Sequence, residues 1–125
     1  MKIYLGIVLF AIAACGGGDD SGIDKSKKLN ALSSDEVKTF CEWAIAEQGG
    51  AGHQTMCGDI IIKVQTEVQC EAQYGTFPAT CAATVGDAEG CAHALTADPC
   101  TLGGSACEVV FSCAAATASG VVSVP

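Results

Sequence analysis

Arginine is absent from this chain of 125 residues; its six basic residues are all lysines, set against fourteen acidic ones for a formal charge of −8. Gripping a nucleic-acid backbone needs a basic face rich in guanidinium donors, so this balance argues against nucleic acid as a partner. It also argues against electrostatic docking on anionic lipid. No run of eighteen apolar residues occurs anywhere, so no segment has the length of a transmembrane helix. Cys-x-x-Cys and Cys-x-x-Cys-His are missing, which removes the thioredoxin-type redox site, the zinc ribbon and covalent haem. Gly-x-Ser-x-Gly and His-Glu-x-x-His are missing too, and no glycine-rich phosphate loop follows a strand. Neither a catalytic residue nor a cofactor is expected, and the chain does not read as an enzyme.

Cysteine, by contrast, is abundant: nine residues in a chain long enough for one modest domain. The first of them, Cys15, closes a recognisable address. Met1-Lys2 is a short basic start, and Ile3 to Ala14 is an apolar run of twelve. Twelve residues are too few to span a bilayer and suit the apolar centre of a signal peptide. The run ends Ile12-Ala13-Ala14-Cys15, which resembles the lipobox of bacterial lipoproteins. That resemblance implies removal of residues 1–14, a diacylglycerol on the Cys15 sulfur and, commonly, an acylated amine. An ordinary secretory signal is the competing reading, because Ala11-Ile12-Ala13 also fits a small-x-small cleavage site. It would leave nine cysteines in an oxidising compartment, one of them unpaired. Lipidation of Cys15 leaves eight, an even number, and is preferred.

Beyond Cys15 the composition divides three ways. Residues 15–32 read as the lipidated cysteine and a flexible tether whose charges cancel, Asp19, Asp20 and Asp24 against Lys25, Lys27 and Lys28. A flexible chain of that length would hold a domain about 20–25 Å from its anchor on average. Residues 33–113 form the domain, with eleven acidic residues against Lys38 and Lys63. Residues 114–125, uncharged and without an amphipathic period, read as a disordered tail.

Four helix starts can be read in the domain. Ser33-x-x-Glu36, Thr66-x-x-Gln69 and Ser105-x-x-Glu108 are capping boxes, and Thr84-x-x-Asp87 is a weaker version. Val37, Phe40, Cys41, Ala44 and Ile45 share one helical face, stopped by Gly49-Gly50. Val85, Ala88, Cys91, Ala92 and Leu95 share another, ending at Asp98-Pro99, and a short helix covers Ala106 to Cys113. Ile60 to Cys70 fits both a strand period and a helical face. It is resolved as a strand over Ile60 to Val64 and a helix over Glu67 to Tyr74, with Gly58-Asp59 as a hairpin turn after His53–Cys57. The expected fold is therefore small, disulfide-rich and mainly α, with about four short helices and a short β-hairpin.

The remaining cysteines are Cys41, Cys57, Cys70, Cys81, Cys91, Cys100, Cys107 and Cys113. Their density marks a disulfide scaffold, and four bridges at about 2–4 kcal/mol each would dominate the stability of so small a core. Eight cysteines allow 105 pairings. The local pair Cys100–Cys107, across Gly103-Gly104, is the one favoured from sequence. His53 with Cys57 and Cys91 with His93 could in principle form a zinc set, at the expense of two of the eight cysteines and in competition with oxidation, and both histidines read better as exposed or loop residues. Trp43, and likewise Tyr74, Phe77 and Pro78, read as packing residues rather than partner anchors.

Pro78-Ala-Thr-Cys81-Ala-Ala-Thr-Val-Gly-Asp-Ala-Glu-Gly-Cys91, with Ala94-Leu95 and Asp98-Pro99-Cys100, resembles small cysteine-rich lipoproteins of myxobacteria and their relatives. The resemblance implies a lipobox, a Gly/Asp tether and one stapled domain, and it brings no activity with it. The expected location is the cell envelope, lipid-anchored at Cys15; Gly16 rather than aspartate in the next position favours the outer membrane. The expected function is a non-enzymatic interaction or structural module, with an unknown protein partner. Two other readings are a small-ligand or metal-binding lipoprotein using His53 and His93, and a hydrolase inhibitor presenting the loop Tyr74–Thr80.

Overall fold

The computed structural model describes the backbone of residues 20–117 and the side chains of residues 20–113. Helix α1 spans Ser34–Glu47, α2 Glu67–Tyr74, α3 Val85–Ala97 and α4 Glu108–Thr117; strands β1 (Gln54–Cys57) and β2 (Ile60–Lys63) form an antiparallel hairpin. The fold is small and mainly helical, stapled by four disulfides.

Three helices begin as their sequences dictate. Ser33, Thr66 and Thr84 each accept the backbone N–H three residues on, while Glu36, Gln69 and Asp87 accept the cap residue's own N–H. Each reciprocal box satisfies two of the donors that a helix start leaves orphaned. The fourth box does not form. Ser105 lies inside a 3-10 turn, Gly104–Cys107, and α4 starts at Glu108, whose N–H donates to the Ser105 carbonyl. Helix α4 continues to Thr117, so the tail begins later than residue 114; residues 118–125 lie outside the described residues. The ambiguous stretch divides as expected, with β2 ending at Lys63 and α2 starting behind the Thr66 cap.

The main core gathers Leu29, Phe40, Trp43, Phe77, Val85 and Val110 with the half-cystines at 81, 91, 107 and 113. Phe40 is its centre, 1% exposed, with its ring 5.5 Å from Trp43 and 5.1 Å from Tyr74. A second cluster, Val37, Cys41, Ile45 and Cys70, fills the space between α1 and α2. Trp43 packs, as the sequence reading held, with an edge-on contact to His93 at 5.5 Å. No residue between Ile45 and Cys70 is buried, so the hairpin adds nothing to either core.

Residues 20–32 are not a free tether. Leu29 is 1% exposed in the main core, within a 3-10 turn over Leu29–Ala31. Its N–H donates to the Ala83 carbonyl at 3.0 Å, and the N–H groups of Val85 and Gly86 donate to the carbonyls of Lys27 and Lys25 at 2.8 and 2.9 Å. Asn30 Nδ2 reaches the carbonyls of Pro78 and Ala79 at 3.0 and 3.1 Å. The packed body therefore includes the arm from Ser21 onward and does not start at Ser33. Net charge and serine content made this arm look solvated, but its leucine is worth about 1.5–3 kcal/mol once buried.

Candidate functional site

The eight domain cysteines form four bridges: Cys41–Cys70, Cys57–Cys100, Cys81–Cys113 and Cys91–Cys107. The first ties α1 to α2, the second ties the hairpin to the 3-10 turn Pro99–Thr101, and the other two tie α4 and its preceding turn around α3. The local Cys100–Cys107 pair is corrected. Leu102, Gly103 and Gly104 all adopt left-handed φ, at 52°, 77° and 53°, and the chain reverses there. Cys107 is thereby folded beneath α3 onto Cys91, while Cys100 stays at the surface beside the Met56 carbonyl. Loop length alone favours the near pair; the turn and the burial of Cys107 decide otherwise. Cys15 lies outside the described residues.

A solvent-open cleft of about 340 Å³ lies between the hairpin and the C-terminal ends of α1 and α3. Its walls carry Glu47, His53, Thr55, Lys63, Leu95 and Thr96. Gly49 makes the seat for His53: at φ 99° it has no Cβ, and an added one would stand 2.9 Å from the imidazole Cγ. Thr96 Oγ1 donates to the carbonyls of Glu47 and Ala92 at 3.1 and 2.9 Å, tying the two helix ends together. Glu47 Oε2, on a largely covered side chain, lies 3.7 Å from Nδ1 of the exposed His93, which packs edge-on against Trp43.

Chemically, this cleft offers one carboxylate, one imidazole and one ammonium to a polar solute, and no thiol. The thiolates needed for the zinc set are consumed, because Cys57 and Cys91 pair elsewhere. Among the described residues no group of three or more His, Cys, Asp or Glu could hold a metal ion. Both histidines are exposed, His53 in the loop before β1 and His93 on α3.

The outward face of the hairpin is the other exposed feature. Met56 pairs with Ile61 and Gln54 with Lys63 across the ladder, while the alternate pair Thr55 and Ile62 lines the cleft. Side chains alternate in a strand, so Met56 and Ile61 share the face turned away from the body, and both are exposed, Met56 by 65%. Ile60, beside the turn, is also exposed, but alternation places it on the opposite face of the strand, with Ile62. The loop Tyr74–Thr80 presents less than its sequence promised. Tyr74 packs between Phe40 and Phe77, and its burial pushes the phenol pKa upward.

One buried charge was not singled out from the sequence. Glu89, on α3, is 3% exposed and accepts hydrogen bonds from Ser21 N and Ser21 Oγ at 2.8 and 2.7 Å. Lys25 Nζ lies 3.6 Å from its other oxygen. The available signal was a carboxylate directly beside Ala88 on an otherwise apolar face, which demands a partner.

No family model, curated protein or solved structure matches the chain.

Proposed function

We propose that the protein is a lipid-anchored, non-enzymatic interaction or structural module of the cell envelope, held by acyl groups on Cys15. The observation that carries this reading is the pairing arithmetic. Four bridges account for all eight cysteines of the domain and leave Cys15 as the ninth. A lone thiol beside four disulfides in an oxidising compartment calls for an explanation, and the thioether of a lipobox cysteine supplies one. Two or more acyl chains give stable anchoring, each buried methylene adding about 0.8 kcal/mol. The apolar face of Met56 and Ile61, rigidly stapled and turned outward, is the surface this module would offer a protein partner.

The test is the intact mass of native, detergent-extracted protein after thiol alkylation without reduction. Residues 15–125 plus acyl groups, lacking eight hydrogens and carrying no alkyl label, is the expected result. A lipid-free chain beginning at Ala14, or two or more labelled thiols, overturns it. A second reading places a small polar ligand in the cleft beside His53 and Glu47; a melting temperature unmoved by candidate ligands, zinc included, counts against it.

A further inference from the structure

We infer that the N-terminal arm is a fixed strap that holds the first turns of α3 close to the lipid surface and points the hairpin away from it. This rests on anchoring at Cys15. The strap has a built seat. Glu89 is a buried carboxylate whose two hydrogen-bond donors both come from Ser21, with Lys25 as its counter-ion and Asp20 beside that lysine at 3.7 Å. Gly86 completes the seat, because an added Cβ there would stand 3.2 Å from the Lys25 carbonyl. Ser21 is thus a fixed point on the domain, six residues from Cys15. Fully extended, six residues reach about 20–22 Å, whereas eighteen residues to Ser33 would reach about 60–65 Å. Docking of the arm shortens the leash threefold.

The arm also sets direction. Glu89 lies in the first half of α3, while the hairpin meets the other end, through Leu95 and Thr96 across the cleft and through Cys57–Cys100. Charge follows the same axis. Residues 20–32 hold three lysines against two aspartates, whereas residues 33–113 hold eleven acidic groups against two lysines. Anionic headgroups therefore repel the body and tolerate the arm, within the roughly 10 Å over which such fields act at moderate salt.

The experiment uses the full native chain, as wild type, Glu89→Ala and Gly86→Ala. Gly86→Ala crowds the strap from the other side and leaves Glu89 intact, so it serves if Glu89→Ala does not fold. Hydrogen exchange of the amides of Leu29 and Ala31 reads the strap without reference to lipid. Loss of charge-assisted bonds at Ser21 is expected to speed their exchange about ten- to a hundredfold. Energy transfer from Trp43, the sole tryptophan, to a dansyl lipid in phosphatidylethanolamine/phosphatidylglycerol vesicles reads proximity. Transfer is expected to fall in the variants, and acetylation of Lys63 is expected to be as fast on vesicles as in detergent. Fast exchange of the arm in wild type, equal transfer in wild type and variants, or a Lys63 shielded on vesicles overturns the inference. A mass without acyl groups refutes the anchoring reading by itself, and the exchange result still reports on the strap.

Discussion

Removing disulfides one at a time separates two accounts of what holds this domain together. The chain-entropy account scales with loop length. It ranks Cys57–Cys100, which closes a separation of 43 residues, above Cys91–Cys107, which closes 16. The corresponding losses are about 4 and about 3 kcal/mol. Burial reverses the order. Cys57 and Cys100 lie at the surface, and the hairpin they secure contributes no buried residue. Without its bridge, the hairpin detaches locally while the helices stay packed, and the native state recovers most of the freedom that the unfolded chain gains. The double variant Cys57→Ser/Cys100→Ser should therefore lose less than about 2 kcal/mol, well below its chain-entropy value. Cys91 and Cys107 are 5% and 0% exposed, in the middle of the main core. Cys91→Ala/Cys107→Ala should lose the full chain-entropy term plus about 1 kcal/mol for each vacated sulfur site, about 5 kcal/mol in all. That approaches the whole stability of a domain this size, roughly 5–10 kcal/mol. Urea denaturation read by Trp43 fluorescence measures both losses against wild type. If Cys57→Ser/Cys100→Ser proves the more destabilised of the two, loop length governs and the argument from burial is wrong.

Substitution at the helix starts distinguishes a formed capping box from an unformed one. Thr84→Ala should cost about 1 kcal/mol, and Ser105→Ala, inside its 3-10 turn, less than about 0.5 kcal/mol in the same urea assay. Gly103→Ala combines a left-handed φ of 77° with a direct clash on the Cys107 sulfur, and should cost more than about 2 kcal/mol or block that bridge. The pH dependence follows from Glu36 and Asp24. Hydrogen bonds from Lys27 and the Ser33 backbone hold Glu36 below its ordinary 4.5, and those from Ser26 hold Asp24 below 3.8. Folded values below unfolded ones mean stability that is present above the ordinary values and lost as pH falls through the folded ones. The urea midpoint should be flat from neutrality to about pH 5 and fall below it, less steeply in Lys27→Met.

What was legible in the sequence was local. Thr66 separates β2 from α2 because a hydroxyl three residues before a glutamine can cap a helix and β-branched alternation cannot continue through it. The face of α1 was visible because Val37, Phe40, Cys41, Ala44 and Ile45 repeat at helical spacing, and all five are buried. What was not legible was long-range. Leu29 looks like one apolar residue in a polar linker until Ala83 and Val85, more than fifty residues on, form its surroundings. The arm and the Glu89 seat explain each other, and neither half is informative alone. The Cys100–Cys107 pairing failed for the same reason, since the turn at Leu102–Gly104 is set by three left-handed residues that spacing does not reveal. Ser105 matched a capping pattern, but the chain tightens into a 3-10 turn beneath Cys91 before the helix proper begins.

The bridge pattern also constrains how the protein is made. In chain order the eight cysteines pair first with third, second with sixth, fourth with eighth and fifth with seventh. No bridge joins neighbours. A chain threaded N-terminus first into an oxidising space and oxidised as it emerges would join each cysteine to the next, and every bond so formed would be wrong. Native pairing therefore depends either on oxidation held back until Cys113 has emerged or on thiol–disulfide exchange that undoes early errors. Where oxidation is not held back, the yield of native fold is set by the reshuffling capacity of the surroundings in which the chain oxidises, a demand that this crossed pairing pattern places on whatever cell makes it.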